Sequence, residues 1–239
     1  MGAIIACSVI FARLNRFKTA MDTADLNLPE DSRRFGGIAR LYGDAGRARL
    51  AAAHVCVVGI GGVGSWAVEA LARTGVGRLT LIDLDHVAES NINRQVHALD
   101  ATLGQAKVQA MRERIAQINP ACDVQCIEEF VDPSNWPQLL PAVTDAVIDA
   151  CDQIKAKTAM AVWARKTRAL FVSVGAAGGK RHAHKVDVDD LSRTTHDPLL
   201  AQVRYRLRKS HGAPRDGARR RRSFRAGRSG GTGRDNIAP

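Results

Sequence analysis

The stretch that most constrains the fold is Val55-Cys-Val-Val-Gly-Ile-Gly-Gly-Val-Gly-Ser65. A β-branched run breaks into Gly59, Gly61, Gly62 and Gly64, then turns to helical spacing through Trp66, Val68, Ala70 and Leu71. Glycines at such a strand-to-helix turn let backbone N–H groups approach an anion with no Cβ in the way. The new helix points its positive end at the same spot. A second apolar run, 78–83, ends in Asp83, nineteen residues after Gly64. From that position a carboxylate can accept hydrogen bonds from ribose hydroxyls. Strand, glycine turn, helix and acid together imply a nucleotide site, with dinucleotide and triphosphate both still open.

The pattern continues as alternating elements. Helical spacing runs over 38–53, a strand over 54–59, a helix over 62–75 and a strand over 78–83, followed by a long loop to about Gly104. A helix follows over 105–118, stopped by Asn119-Pro120, then a strand at 124–127, a short helix from Pro133 and a strand at 146–151. A helix at 154–166 and a strand at 169–174 lead into Gly175-Ala-Ala-Gly-Gly179. Five alternations of strand and helix predict an α/β, Rossmann-like, doubly wound and mainly parallel sheet with helices on both faces. Residues 199–207 have the pattern of a basic amphipathic helix. The expected division is an irregular extension at 1–30, a nucleotide-binding domain at 31–217 and a disordered basic C-terminal tail at 218–239.

Charge separates that tail from the rest. Of the formal net +11, the last 39 residues hold twelve Lys/Arg against two Asp, leaving 23 against 22 in the first 200. Such a terminus suits RNA binding or a solvated, unfolded segment. Five cysteines (Cys7, Cys56, Cys122, Cys126 and Cys151) form no Cys-x-x-Cys pair, which argues against a disulfide framework or structural zinc and for a reducing cytoplasm. No apolar run reaches the roughly 20 residues of a membrane span. Residues 2–12 are apolar, but their basic residues follow instead of preceding them, the wrong order for secretion. Residues 1–20 therefore read as a dispensable extension, with Met21 a plausible start.

Arg94 and Lys107 favour a triphosphate. A pyrophosphate is commonly satisfied by the turn and the helix end, whereas a triphosphate needs cationic side chains and a divalent ion. Arg94 lies in a polar loop with Asn91 and Gln95, and Lys107 lies in the first turns of a helix, a poor place for a cation unless an anion is near. The strand at 146–151 delivers Asp152 to the same edge as the glycine turn. Facing a triphosphate, that carboxylate is a Mg²⁺ ligand; it could equally cap the helix that follows.

These residues resemble the ubiquitin-activating-enzyme-like superfamily of ThiF, MoeB and HesA relatives. The match runs over Gly59-Ile-Gly-Gly-Val-Gly-Ser65, Asp83-x-Asp85, Ser90-Asn91-x-x-Arg94-Gln95, Lys107 and Asp152. The resemblance implies an enzyme that joins a carboxylate to the α-phosphate of ATP. It places Gly59, Gly61, Gly62, Gly64 and Asp83 around the nucleotide, Asn91, Arg94 and Lys107 on the phosphates, and Asp152 on Mg²⁺. The catalytic set is Arg94, Lys107 and Asp152. Within the superfamily, 34–43, 91–99, 175–179 and Asp197-Pro-Leu199 are similar to the branch that dehydrates threonylcarbamoyladenosine in tRNA. That branch implies adenylation of the side-chain carboxylate, closure to an oxazolone and release of AMP. Its implied partners are the modified tRNA, a second copy of the chain and a sulfur-relay protein. The alternative within the superfamily is activation of the C-terminus of a ubiquitin-like or sulfur-carrier protein. The missing Cys-x-x-Cys pairs, and the absence of any cysteine after Cys151, favour the dehydratase, because covalent acyl capture needs a thiolate.

Two departures accompany the likeness. Relatives reach across to the neighbouring subunit's phosphates with an arginine where this chain has Gly37, flanked by Arg34 and Arg40. The sequence after Gly217 also becomes an Arg/Gly/Ser stretch in place of apolar strands, as a shifted reading frame or truncation would produce. Elsewhere, His182-x-His184 reads as surface histidines, Cys122 and Cys126 as buried thiols, and Trp66 and Trp163 as core. Arg204, Arg206, Arg208 and Lys209 are RNA-contact candidates.

Overall fold

The computed structural model describes residues 32–214 and 225–229. Its elements are α1 (Ser32–Ala52), β1 (His54–Val58), α2 (Gly64–Arg73), β2 (Arg78–Ile82), α3 (Lys107–Ile118) and β3 (Asp123–Ile127). They continue with β4 (Ala146–Asp149), α4 (Ile154–Thr167), β5 (Leu170–Val174), β6 (Val186–Asp190), α5 (Pro198–His211) and β7 (Arg225–Ser229). The sheet order is β3-β2-β1-β4-β5-β7-β6, with β1 to β5 parallel, β7 parallel to β5, and β6 antiparallel to β7.

Alternation along each strand divides the core between two faces. Val55 and Val57 of β1 pack with Val68, Leu71, Met111 and Ile115 of α2 and α3. Their neighbours Cys56 and Val58 pack with Met160 and Ala161 of α4 and Leu200, Val203 and Leu207 of α5. All of β1 is buried, which explains its unbroken apolar run. After β1 the chain moves outward to β2 and β3, then returns to place β4 on the other flank of β1. The reversal opens a crevice between the carboxyl ends of β1 and β4, where ligands bind in sheets of this kind.

Several expectations need correction. α1 begins at Ser32, six residues before the helical spacing expected from 38; Gly43 (φ 73°, ψ 169°) interrupts it. No helix forms at Pro133. Asp132 instead accepts hydrogen bonds from Ser134 and Asn135, winding the segment into turns, and Pro137 and Pro141 lack N–H groups to propagate a helix. β6 went unread because Val-Asp-Val-Asp-Asp carries acids where a core strand would be apolar. Its residues are only half-buried or exposed. His182 precedes a 3₁₀ turn at Ala183–Lys185 and His184 lies within it, with rings 5.5 Å apart, and no group of three metal-ligating side chains forms among the described residues. Of the stretch read as a disordered tail, 225–229 pair as β7 while the remainder lies outside the described residues, as does the 1–30 extension.

Candidate functional site

The glycine turn is built by close approach. Gly59 has φ 86°, and a Cβ there would stand 2.7 Å from the backbone nitrogen of Cys151. A Cβ at Gly64 would stand 1.7 Å from the carbonyl oxygen of Gly59, so the start of α2 tolerates no side chain. Gly61 differs: a Cβ there would meet nothing within 4 Å. Gly61 therefore borders open space, the place for a ligand. At Gly62 that Cβ would lie 3.3 Å from the Arg94 side chain, whose stem crosses the turn.

The loop after β2 holds that arrangement. Arg94 donates from Nη1 to the Ser90 carbonyl (2.8 Å) and to Asn93 Oδ1 (3.0 Å). Trp66 is 47% exposed, not core as expected, because its indole N–H donates to the Arg94 carbonyl at 2.9 Å. Trp163 is partly buried against Trp136, nearer to expectation. Asn91 is buried and accepts from the Ala88 N–H through Oδ1 (3.1 Å), so its carbonyl oxygen is committed to shaping the loop.

Asp83 accepts from Ile60 N–H (2.5 Å) and Asp85 N–H (2.9 Å), tying the end of β2 to the turn after β1. Burial raises its carboxyl above the usual value, against the pull of those two N–H groups and of the Lys107 charge. Lys107 is itself buried and places Nζ 2.6 Å from Asp85 Oδ2. An ammonium has three donors, so Asp85 leaves two for another acceptor.

Asp152 is exposed and follows Cys151, whose backbone touches Gly59. Cap duty is excluded, since the N-cap of α4 is Gln153 and no side chain bonds there. The carboxylate has no hydrogen bond or ion pair among the described residues and stands on the crevice rim. That suits Mg²⁺, which commonly takes one or two carboxylates alongside substrate phosphates.

Sequence reasoning missed two groups at this edge. Beneath the crevice Lys157 Nζ meets Asp149 Oδ1 at 2.9 Å, Ser173 Oγ donates to Asp149 Oδ2 at 2.6 Å, and both charged residues are fully buried. The Cys151 thiol donates to Asp149 Oδ1 at 3.1 Å; burial, with Asp149 adding to it, pushes its ionisation far above the ordinary range, so it is no nucleophile. Asp197 is buried, caps α5 through Leu200 N–H and pairs with Lys180 Nζ at 2.6 Å. A Cβ at Gly175 would collide with that carboxylate, which makes Gly175 a fitted partner. A lysine three residues into a predicted helix, eight after a strand-end Asp, was the available signal for the Asp149–Lys157 pair. Cys122 and Cys126 are partly buried, and burial raises both thiols.

A family model, the ThiF family, matches residues 35–209. The chain belongs to the ThiF family. Among its relatives, a tRNA threonylcarbamoyladenosine dehydratase of Escherichia coli (strain K12) is 49% identical over 179 residues, covering 75% of this chain and 67% of that one. One of Haemophilus influenzae is 48% identical over 178 residues, covering 74% and 68%. The E. coli dehydratase TcdA, solved in complex with ATP, superposes with a TM-score of 0.78 at 44% identity, covering 82% of this chain and 80% of that chain. A structure of the same enzyme with AMP gives the same score. In this ThiF-family chain the glycine turn, Asp83, Arg94 and Lys107 converge on the crevice, and Asp152 stands at its rim.

Proposed function

We propose that this chain is an ATP-dependent dehydratase that adenylates the carboxylate of threonylcarbamoyladenosine in tRNA and cyclises it. Gly61 and the start of α2 receive phosphate oxygens, Asp83 receives the ribose hydroxyls, and Arg94 and Lys107 neutralise the phosphates. Asn91 holds the loop that carries Arg94. The substrate carboxylate attacks the α-phosphorus, the bond to the β-phosphate oxygen breaks, and pyrophosphate leaves. The carbamoyl oxygen then attacks the activated carbonyl carbon, AMP departs, and the nitrogen of the new ring loses its proton. Nucleophile and electrophile share one side chain, so ring closure gains from proximity. Asp152 would hold Mg²⁺, which supplies charge neutralisation at the phosphates.

The observation that carries the reading is Arg94 laid across Gly62 beside an open Gly61. Burial raises the Cys151 thiol, which favours a route without acyl capture. The active form is a cytoplasmic homodimer served by a sulfur-relay protein. Its crossing arginine is Arg40, which is exposed, whereas Arg34 donates to the Gln117 and Ile118 carbonyls at the end of α3.

The test is mass spectrometry of anticodon-loop nucleosides after incubation with ATP, Mg²⁺ and modified tRNA. Loss of one water with matching AMP release is expected. Unchanged tRNA, together with pyrophosphate exchange stimulated by a sulfur-carrier protein, overturns the reading. Arg94→Ala and Asp152→Ala should each slow adenylation by about 10²-fold, because each serves charge developing at phosphorus; rates within threefold of wild type remove that residue from the mechanism.

A further inference from the structure

α4 and α5 lie side by side on one face of the sheet, sharing the core of Met160, Ala161, Leu200, Val203 and Leu207. Neither helix contains an Asp or Glu. α4 starts at the crevice, two residues after Asp152, and α5 starts just after its cap Asp197, which lies against Gly175 on the same edge. At 14 residues each, both then run about 21 Å toward the opposite edge.

Their outer surface is cationic. Lys155, Lys166 and Arg168 on the α4 side and Arg206 and Lys209 on α5 are exposed, and none forms an ion pair with a carboxylate among the described residues. Arg204 and Arg165, by contrast, are spent on carbonyls: Arg204 on Leu191 and Thr194, Arg165 on His211 and Gly212. Tyr205 stands 62% exposed among these cations, with Lys209 Nζ 5.7 Å from its ring centroid. Unneutralised cations around an exposed ring match RNA, since phosphates take the charges and a base can stack on the ring.

We infer that the α4–α5 face is an RNA-docking track that leads the substrate's phosphate backbone to the adenylation crevice. The inference rests on the tRNA reading above and adds to it the surface that holds the tRNA outside the crevice. It keeps Arg206 and Lys209 from the RNA-contact candidates, adds Lys166 and Tyr205, and leaves Arg204 as a fold residue.

The test measures tRNA binding to the full chain over a range of salt. Arg206→Glu/Lys209→Glu should weaken binding at least tenfold and flatten the slope of log affinity against log salt by about two, one for each lost phosphate contact. The milder Arg206→Gln/Lys209→Gln should move both in the same direction, which guards against misfolding. Tyr205→Ala should weaken binding with the salt slope unchanged. Arg78→Glu/Arg112→Glu, a charge-matched pair on other elements, should stay within threefold of wild type, and ATP affinity should hold in every variant. Wild-type affinity and slope in the α5 variants, or an equal loss in the control pair, overturns the track. Salt-dependent tRNA binding through this face without AMP release would uphold the track and remove the dehydratase reading.

Discussion

Lys157 and His97 show how much a single buried side chain can decide. Lys157 and Asp149 are both fully buried, and the lysine also donates to the Val174 carbonyl at 2.8 Å, joining the ends of β4 and β5 under the crevice. Removing one charge strands the other, at a cost of about 3–5 kcal/mol. Lys157→Met should therefore unfold at clearly lower denaturant, while Lys157→Met/Asp149→Asn should recover much of the loss in a double-mutant cycle. Additive losses would mean that the two groups do not interact. His97 is 2% exposed, and neither ring nitrogen has a hydrogen-bond partner among the described residues. Burial, with the charges of Lys107 and Arg114, lowers its pKa from 6.5 to about 4. The unfolded chain thus binds the proton more readily, so this contribution is complete above pH 6.5 and is lost as pH falls toward 4, at about 1.4 kcal/mol per unit. His97→Gln should show a shallower decline over that window in chemical denaturation; an unchanged slope would assign the acid sensitivity to other groups.

At the scale of elements, legibility followed the physics of each segment. The glycine turn and β1, β2, β4 and β5 could be read because close approach demands glycine and burial on both faces demands apolar runs, whereas β3, half-buried at the sheet edge, showed only through the alternation of Val124 and Cys126. β6 was hidden by its partial burial, and the Pro133 turns by proline imitating a helix start. Of the candidate site, spacing and charge singled out Asp83, Arg94 and Lys107, whose roles toward a nucleotide are proposals. Trp66 misled, because an indole at a helical core position can instead hold a neighbouring loop. The Asp149–Lys157 pair left only the spacing of a lysine eight residues after a strand-end Asp, and nothing in local sequence showed that Ser173 of the next strand joins it. The glycines are not equivalent, which gives an element-level prediction. Gly64→Ala would drive a methyl into the Gly59 carbonyl and should yield a destabilised or insoluble protein. Gly61→Ala meets nothing and should keep its melting temperature within a degree or two, while raising the KM for ATP tenfold or more. Normal ATP affinity in a folded Gly61→Ala protein would move the phosphates elsewhere.

For the molecule as a whole, the parallel half of the sheet and its two helical faces carry the crevice, and β6 and β7 form an annex. Among the described residues β6 has β7 as its only sheet neighbour, and β7 bridges it to β5 through Val172, Ser173 and Val174. Ser173 also bonds Asp149, so the annex meets the crevice through one strand. Composition alone suggested that a basic Arg/Gly/Ser stretch has nothing to bury, yet a ladder needs only backbone N–H and C=O groups, which every residue but proline supplies. The chain shortened after Pro214 tests whether that ladder matters. Lacking β7, β6 has no partner strand, and the outer backbone groups of β5 face water. Amides of Val186–Asp190 should then exchange at least a hundredfold faster, while those of β1 and β2, four and five strands removed from β6, keep their protection. Adenylation should fall less than tRNA affinity, since the shortened chain retains the crevice and loses eight arginines. Equal protection of β6 in both chains would show that it is held by something other than β7.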